Sequence, residues 1–437
     1  MAETLGIGIL GLGTVGGGVA RLLTEHAERL ERRSGRRLEI RRVAVRDVEK
    51  PRSFSLSRNL LTDDPGQVVR APDVDVVVEL IGGIEPARTL IIEALDHGKH
   101  VVTANKSLLC EHGPELYERA RRRERCIAFE AAVAGGIPII AAVGQSMAAN
   151  QLQSIEAILN GTSNFILTEM LARRASYREI LAEAQRLGYA EADPTMDIDG
   201  TDAAQKLVLL VQLAFGTRIT PSQFLRRGID TLELADLLYA DEMGYRVKLL
   251  AVARIVRGRL EVHVEPTLLR ADRPIAKVDG ALNIIALRGD AVGPTWFSGP
   301  GAGALPTASA VVADLVDIAV GRAQLTFPVL DLWRLNGGYE LLDAEHIARR
   351  YYLRFNIEDR PGVLAEIAAI LGRHHISIAS VIQHEAPEIE DAAATPPPVP
   401  LVIMTHRTTE GQMRAAEAEL QHLPALRPPH VRMPVSD

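Results

Sequence analysis

The chain has 437 residues, 47% of them hydrophobic and 24% charged, enough for two or three domains with sizeable cores. A net charge of −7 argues against a nucleic-acid partner. Cys110 and Cys126 are the only cysteines and form no CxxC, which excludes a disulfide framework or a thiolate metal site and suits a reducing compartment.

The basic runs "ERRSGRRLEIRR" and "YERARRRER" are interleaved with acids and read as solvated surface. "MAETLGIGIL" has no basic region ahead of its apolar stretch, and "LVLLVQLAFG" is too short to span a bilayer. The expectation is a cytosolic protein with no membrane partner.

From the N-terminus, "LGIGIL" predicts a buried strand and "GGGVARLLTEHAERLERR" an amphipathic helix. "LEIRRVAV" is a second strand, and "VDVVVELIGG" is a continuous apolar run of the kind parallel sheets need. "EPARTLIIEALDHGK" predicts a helix, followed by the strand "HVVTAN". This βαβ rhythm over residues 1–130 predicts a Rossmann-type doubly wound parallel sheet, completed by about 321–345. Residues 131–320 read as a mixed α+β domain that completes the site, mostly helical from about 143 to 250. Its strand-like segments are "RLEVHVEPTLL" and "GALNIIALRGD". From 350 to 437 the pattern is βαββαβ, a ferredoxin-like module, with the proline-rich segment 386–400 read as a mobile loop and "LNGGYELL" as the connection into the module.

"GLGTVG" follows a strand and opens a helix, the context in which Gly11, Gly13 and Gly16 form a dinucleotide-binding turn. The first glycine makes the turn, the second admits the pyrophosphate and the third lets helix and strand pack. At the end of the second strand, Asp47 suits a ribose hydroxyl, whereas Arg46 and Lys50 suit a 2′-phosphate. Two cations against one acid favour NADP, with NAD still possible.

The stretch "EADPTMDIDGTDAAQK" sets Glu191, Asp193, Asp197, Asp199 and Asp202 ahead of Lys206. Only six lysines stand against forty-three arginines, so a lysine where a proton must be exchanged is informative, because arginine does not deprotonate. Some of the six are expected to be plain surface residues, Lys50 and Lys99 being candidates. Hydride reduction of a carbonyl needs a proton donor at the oxygen. Lys206 follows Asp202 by four residues on one helix face, so the carboxylate can orient the ammonium and keep it charged. Glu191 and Asp197 suit a substrate that carries an ammonium group. Lys106, in "TANKSLL", falls at the carboxyl end of a strand, where open α/β sheets bind ligands, and would face Lys206 across the nicotinamide. A salt bridge pinning loop to helix is the competing reading for each lysine.

These blocks resemble the homoserine dehydrogenases. "AEAQRLGYAEADPTMDIDGTDAAQK" matches the family signature, and "GLGTVGGGV", "VVTANK", "FEAAVAGGIPII" and "GPGAGALPTASAVVAD" occur in the family's order. "DRPGVLAEIA" and the residues after it resemble an ACT domain. The resemblance implies NAD(P)-dependent interconversion of L-aspartate 4-semialdehyde and L-homoserine, within threonine, methionine and isoleucine synthesis. It makes residues 131–320 the catalytic and dimerisation domain, Lys206 the proton donor, Lys106 a second catalytic lysine near the cofactor, Asp202 the support of Lys206, and Glu191 and Asp197 the substrate ligands. Leu12, Thr14 and Val15 would line the cofactor with the backbone near Gly82 and Ala104, and Gly301 or Gly303 would approach it.

The resemblance also implies a structural monovalent cation such as Na+ on the main-chain carbonyls of Glu130, Val133, Gly135 and Ile137. It further implies a homo-oligomer, dimer or tetramer, with threonine as effector at paired ACT domains; Asp359 and Gly362 are the expected effector contacts. Two other readings are a hydroxy-acid dehydrogenase resembling 3-phosphoglycerate dehydrogenase and a non-catalytic amino-acid sensor. The first would want a His–carboxylate pair, and the acid-rich loop would repel a phosphorylated acid. The two lysines argue against the second.

Overall fold

The computed structural model describes residues 3–52, 54–330, 338–384 and 398–436. The proline-rich segment up to residue 397 and the first part of "LNGGYELL" lie outside the described residues. The chain divides into two compact units. One holds Met1–Ile155, Ala204–Gln223 and Leu282–Tyr339; the other holds Glu156–Ala203, Phe224–Ala281 and Glu340–Asp437.

The first unit carries the parallel sheet. Its strands are β1 (Thr4–Leu10), β2 (Arg37–Ala44), β3 (Leu61–Thr62), β4 (Val76–Glu79), β5 (His100–Thr103) and β6 (Ile127–Ala128). The helices among them are α1 (Thr14–Glu25), α2 (Ala27–Ser34), α3 (Gly66–Val69), α4 (Ala87–Asp96) and α5 (Lys106–Arg122). The strand order is β3-β2-β1-β4-β5-β6, every pair parallel, with the order reversing between β1 and β4. Helices cover both faces, so the strands are apolar runs: Ile7, Ile9, Val76, Val77, Val101 and Val102 are wholly buried. The single helix expected after the glycine turn is two, parted at His26, whose N–H ends the first and whose carbonyl starts the second. The helix Ala304–Ala319 packs on α1 so closely that a Cβ on Gly18 would lie 2.8 Å from the Ala304 carbonyl.

The second unit is built on an antiparallel hairpin, Tyr245–Val256 with Arg259–Arg270. Its two-residue turn, Arg257 and Gly258, has positive φ at both positions, the hairpin turn whose twist suits the strands. Arg259–Arg270 pairs in parallel with Leu426–Ser436 at its end. Beyond it come Ala348–Ile357, Val399–Thr405 and Ile378–Gln383, antiparallel to their neighbours. With the helices Val363–Arg373 and Glu410–Leu420 these make the expected βαββαβ module. Its core joins Leu353, Phe355, Ile367, Leu371, Leu401 and Ile403. In the stretch read as mostly helical, the structure also has the strands Leu152–Ile158 and Tyr245–Val256.

Candidate active site

The glycine turn sits at the carboxyl end of β1, beside the point where the strand order reverses. Gly11 has φ +98°, and a Cβ there would press on the Leu80 carbonyl at 2.8 Å. A Cβ on Gly16 would strike the Gly11 carbonyl at 2.1 Å, whereas nothing lies within 4 Å of that position on Gly13. The turn is therefore closed where the protein packs and open where an anion would approach the start of α1. A cleft of about 610 Å³ runs from it, lined by Leu12, Thr14, Arg46, Asp47, Lys50 and Arg52 among others. Val15 is half-buried in the first turn of α1. Asp47 is partly engaged, accepting the Glu49 N–H at 2.9 Å. Arg52 braces the same loop by donating to the carbonyls of Lys50 and Asp47. Arg52 drew no notice in the sequence, since a lone arginine in a loop has no distinguishing pattern.

At the ends of β4 and β5, the buried Glu79 accepts the N–H groups of Ile81 (2.8 Å) and Gly82 (3.0 Å) and the Thr103 hydroxyl (2.6 Å). Asn105 caps α5 by accepting from Leu108 N–H (3.1 Å) and donates to the Gly83 carbonyl (2.6 Å). This lattice fixes the loop through Gly82 and the turn through Ala104, and so places Lys106 as the first residue of α5. A cation in the first turn of a helix opposes the helix dipole, so the position is not one that helix stability selects. Ser107 donates to the Gln205 side chain at 3.0 Å, and the Cys110 thiol lies 3.1 Å from the Gln205 carbonyl. The helix that carries Lys106 thus touches the helix Thr201–Phe215 one residue from Lys206, and both lysines are half-buried. Asp202, buried, precedes Lys206 by one turn. Lys99 is not a surface residue: it is buried and donates to the carbonyls of Ala71 (2.5 Å) and Val74 (2.6 Å). Lys248 is likewise structural, bonded to Asn164, Val278 and Asp279.

The five acids of the loop divide into distinct tasks. Asp193 accepts from the Thr195 N–H (3.1 Å) and hydroxyl (2.5 Å), and these bonds hold its carboxyl below the usual range. Asp199 accepts from the Thr201 N–H and hydroxyl, both at 2.8 Å, and pairs with Arg226 at 3.2 Å. These two are turn residues. Asp197 and Asp202 share one donor, the Asn160 amide, at 2.7 and 2.9 Å. Glu191 is exposed at the loop's start.

Glu130, Val133, Gly135 and Ile137 form a buried, curled segment: a short 3₁₀ turn over Glu130–Ala132, then Ala134 at φ +48°. Among the described residues, neither the Val133 nor the Gly135 carbonyl accepts a hydrogen bond, and the Ile137 carbonyl accepts from Ile139 at 2.8 Å. Buried carbonyls seek partners, so the segment fits a cation held by main-chain oxygens. Gly301 packs on Asn283, while Gly303, at φ +126°, starts the helix that lies on α1. In the βαββαβ module, Gly362 (φ +95°) starts the helix Val363–Arg373, and Asp359 lies 3.4 Å from the Gln383 amide.

The parallel sheet with its phosphate turn, a pair of lysine-bearing helices and a ligand-sensing module define a nicotinamide-dependent oxidoreductase. The NAD-binding profile of homoserine dehydrogenases matches residues 11–130, the homoserine dehydrogenase profile residues 138–316 and the ACT profile residues 351–425. The chain is 44% identical to the homoserine dehydrogenase of Pseudomonas aeruginosa over 435 residues, 98% of each. It is also 44% identical to that of Neisseria gonorrhoeae over 431 residues, 98% of this chain and 97% of the relative. The solved homoserine dehydrogenase of Thiobacillus denitrificans superposes with a TM-score of 0.89 at 44% identity, over 100% of this chain and 99% of that one. The chain belongs to the homoserine dehydrogenase family, enzymes that interconvert L-aspartate 4-semialdehyde and L-homoserine with a nicotinamide cofactor. The hydroxy-acid dehydrogenase and sensor readings are not favoured. Among the described residues, no helix is long and apolar enough to cross a membrane.

Proposed function

We propose that Lys206 protonates the oxygen of the aldehyde as it is reduced, and removes that proton in the reverse direction. Asp202, one turn away on the same helix, orients the Lys206 amine. Lys106 places a second positive charge where the alkoxide develops. Glu191 and Asp197 hold the substrate's α-ammonium. The cofactor's part is to carry the hydride. The observation that carries this reading is the contact of the Ser107 and Gln205 side chains, each next to one lysine.

NADP is the proposed cofactor. Arg46 and Lys50 line the cleft and have no ion-pair partner among the described residues, whereas Asp47 already accepts a backbone N–H. Gly11 to Gly16 cradle the pyrophosphate, with Gly82, Ala104, Gly301 and Gly303 as further backbone contacts. A monovalent cation such as Na+ sits on the carbonyls of Glu130, Val133, Gly135 and Ile137 and braces that segment without touching substrate. Threonine is the proposed effector, taken up at the Asp359–Gly362 turn when two modules pair in a homodimer or tetramer. The proposed location is the cytosol.

The test is an initial-rate assay with homoserine, comparing NADP with NAD, with and without threonine, on wild type and Lys206→Ala. The variant should bind cofactor normally and lose about 10²–10⁴-fold in kcat, the usual contribution of a proton-transfer group. Near wild-type turnover would refute the role of Lys206.

A further inference from the structure

Asn160 stands immediately before the helix Gly161–Arg173 and is almost wholly buried. Its side-chain oxygen caps that helix, accepting the Ser163 N–H at 2.7 Å. A cap needs only an acceptor, and serine or aspartate does that work as well as asparagine. The other half of this side chain does something a cap does not require. Its amide donates to Asp197 at 2.7 Å and to Asp202 at 2.9 Å. Two carboxylates are drawn to one neutral group despite their mutual repulsion. The neighbouring Thr162 hydroxyl donates to the Tyr189 carbonyl at 2.6 Å, and the Phe165 and Tyr189 rings pack with centroids 4.9 Å apart. The start of one helix therefore grips the acidic loop at both ends. It is itself seated firmly, since a Cβ on Gly161 would lie 2.6 Å from the Ala281 carbonyl.

We propose that Asn160 is a positioning residue of the reaction: its amide sets Asp197 and Asp202 side by side, the first aimed at the substrate ammonium and the second at Lys206. This rests on the roles proposed above for those two acids. The donor must be uncharged. A lysine or arginine in its place would neutralise the acids and compete with the substrate cation, and an acid would repel them. Asparagine is the smallest side chain that caps with one atom and donates two hydrogens with another.

Asn160→Asp in the full-length enzyme is the discriminating variant. It keeps shape and cap but turns the donor into a third carboxylate. Loss of hydrogen bonds to charged groups predicts a fall of about 10–100-fold in kcat/KM for homoserine, with NADP binding near wild type. A third carboxylate in this buried cluster also lowers the melting temperature, so rates are compared well below it. The ratio of variant to wild-type kcat/KM should climb as pH is lowered, because a carboxyl between two carboxylates takes up a proton readily and regains one donor. Asn160→Ser, neutral and still a cap, should show the loss without the pH-dependent recovery. Wild-type kcat/KM in both variants, or equal losses with a flat pH ratio, would overturn the proposal. Asp197→Asn and Asp202→Asn test the reading beneath it. If they leave homoserine kinetics unchanged, that reading fails; if they impair the enzyme while Asn160→Asp does not, only the positioning role fails.

Discussion

In the first unit, burial leaves several ionisable groups uncharged. His100 is pushed down to about 4 by burial, and its Nδ1 accepts the Cys126 N–H at 3.2 Å. The thiols of Cys110 and Cys126 are pushed up to about 12 by burial, and the Asp314 carboxyl is raised well above its usual range by burial with Glu130 beside it. The second unit keeps the buried carboxyls of Glu261 and Glu265 charged. Burial alone would raise Glu261, but His263 and Arg254 outweigh it and hold the carboxyl at about 2. Glu265, fully buried, is likewise held low by Arg349, His263 and Arg227. Glu410 meets Arg349, Arg432 (2.9 Å), Arg414 (3.0 Å) and the Tyr351 hydroxyl (2.7 Å). A group buried alone becomes neutral, whereas one met by partners from several strands keeps its charge. The charged lattice also ties Arg259–Arg270 of the hairpin to Ala348–Ile357 and Glu410–Leu420 of the ACT module, so these elements should lose order together.

The largest expected effect is in that lattice. Glu265→Ala leaves Arg349 and His263 buried beside a missing partner, and breaking a buried pair this way costs about 3–5 kcal/mol. Denaturant unfolding would measure it, and a loss under about 1 kcal/mol would show that the lattice behaves like a surface pair. Acid separates the two regions next. The folded-state value of His100 lies below its ordinary 6.5, so its contribution is complete above pH 6.5 and is lost as pH falls toward 4. That shift corresponds to about 3 kcal/mol. The contribution of Glu261 is complete above 4.5 and is lost only as pH falls toward 2. Hydrogen exchange on the whole chain, corrected for intrinsic rates, should show residues 100–128 loosening between pH 6.5 and 4.5 while residues 254–265 hold. His100→Gln should flatten the first response. The reverse order would break the comparison.

The parallel sheet and the βαββαβ module were legible in the sequence, and the buried charge lattice was not. Apolar runs such as "VDVVVEL" and a glycine turn announce a parallel sheet, because backbone geometry and burial dictate residue type at each position. The glycines of "GLGTVG" occupy the conformations and contacts expected of them. By contrast, the "EVHVE" of Arg259–Arg270 alternates as a half-solvated strand would, yet Glu261, His263 and Glu265 are all buried. Arg349, the cation that meets Glu265, stands on a different strand far along the chain. No local pattern foretells that pairing, because helix and strand periods relate only near neighbours. The acidic loop lies between these cases. Its composition marked it, but five similar side chains gave no means of telling turn formers from the Asn160 pair. Asn160 carries no local pattern that marks its amide as a donor, because a residue before a helix can cap it with the acceptor alone.

The smallest expected effect concerns those turn formers. Asp199 fixes the start of the helix Thr201–Phe215 through Thr201 and meets Arg226 with both side chains about one-third exposed. Solvent screens that ion pair, so the two bonds from Thr201 are the larger loss, and Asp199→Ala should cost about 1 kcal/mol. Its KM for homoserine should stay within about threefold of wild type, a difference of about 0.65 kcal/mol, since Asp199 is engaged with Thr201 and Arg226 and is not proposed to touch substrate. Asp197→Ala should do the opposite, raising KM sharply with little change in melting. The two residues are both half-buried, two apart, and identical in type. If the two variants proved interchangeable, the loop would be acting through its total charge, and the division of its acids between turn and substrate would be wrong.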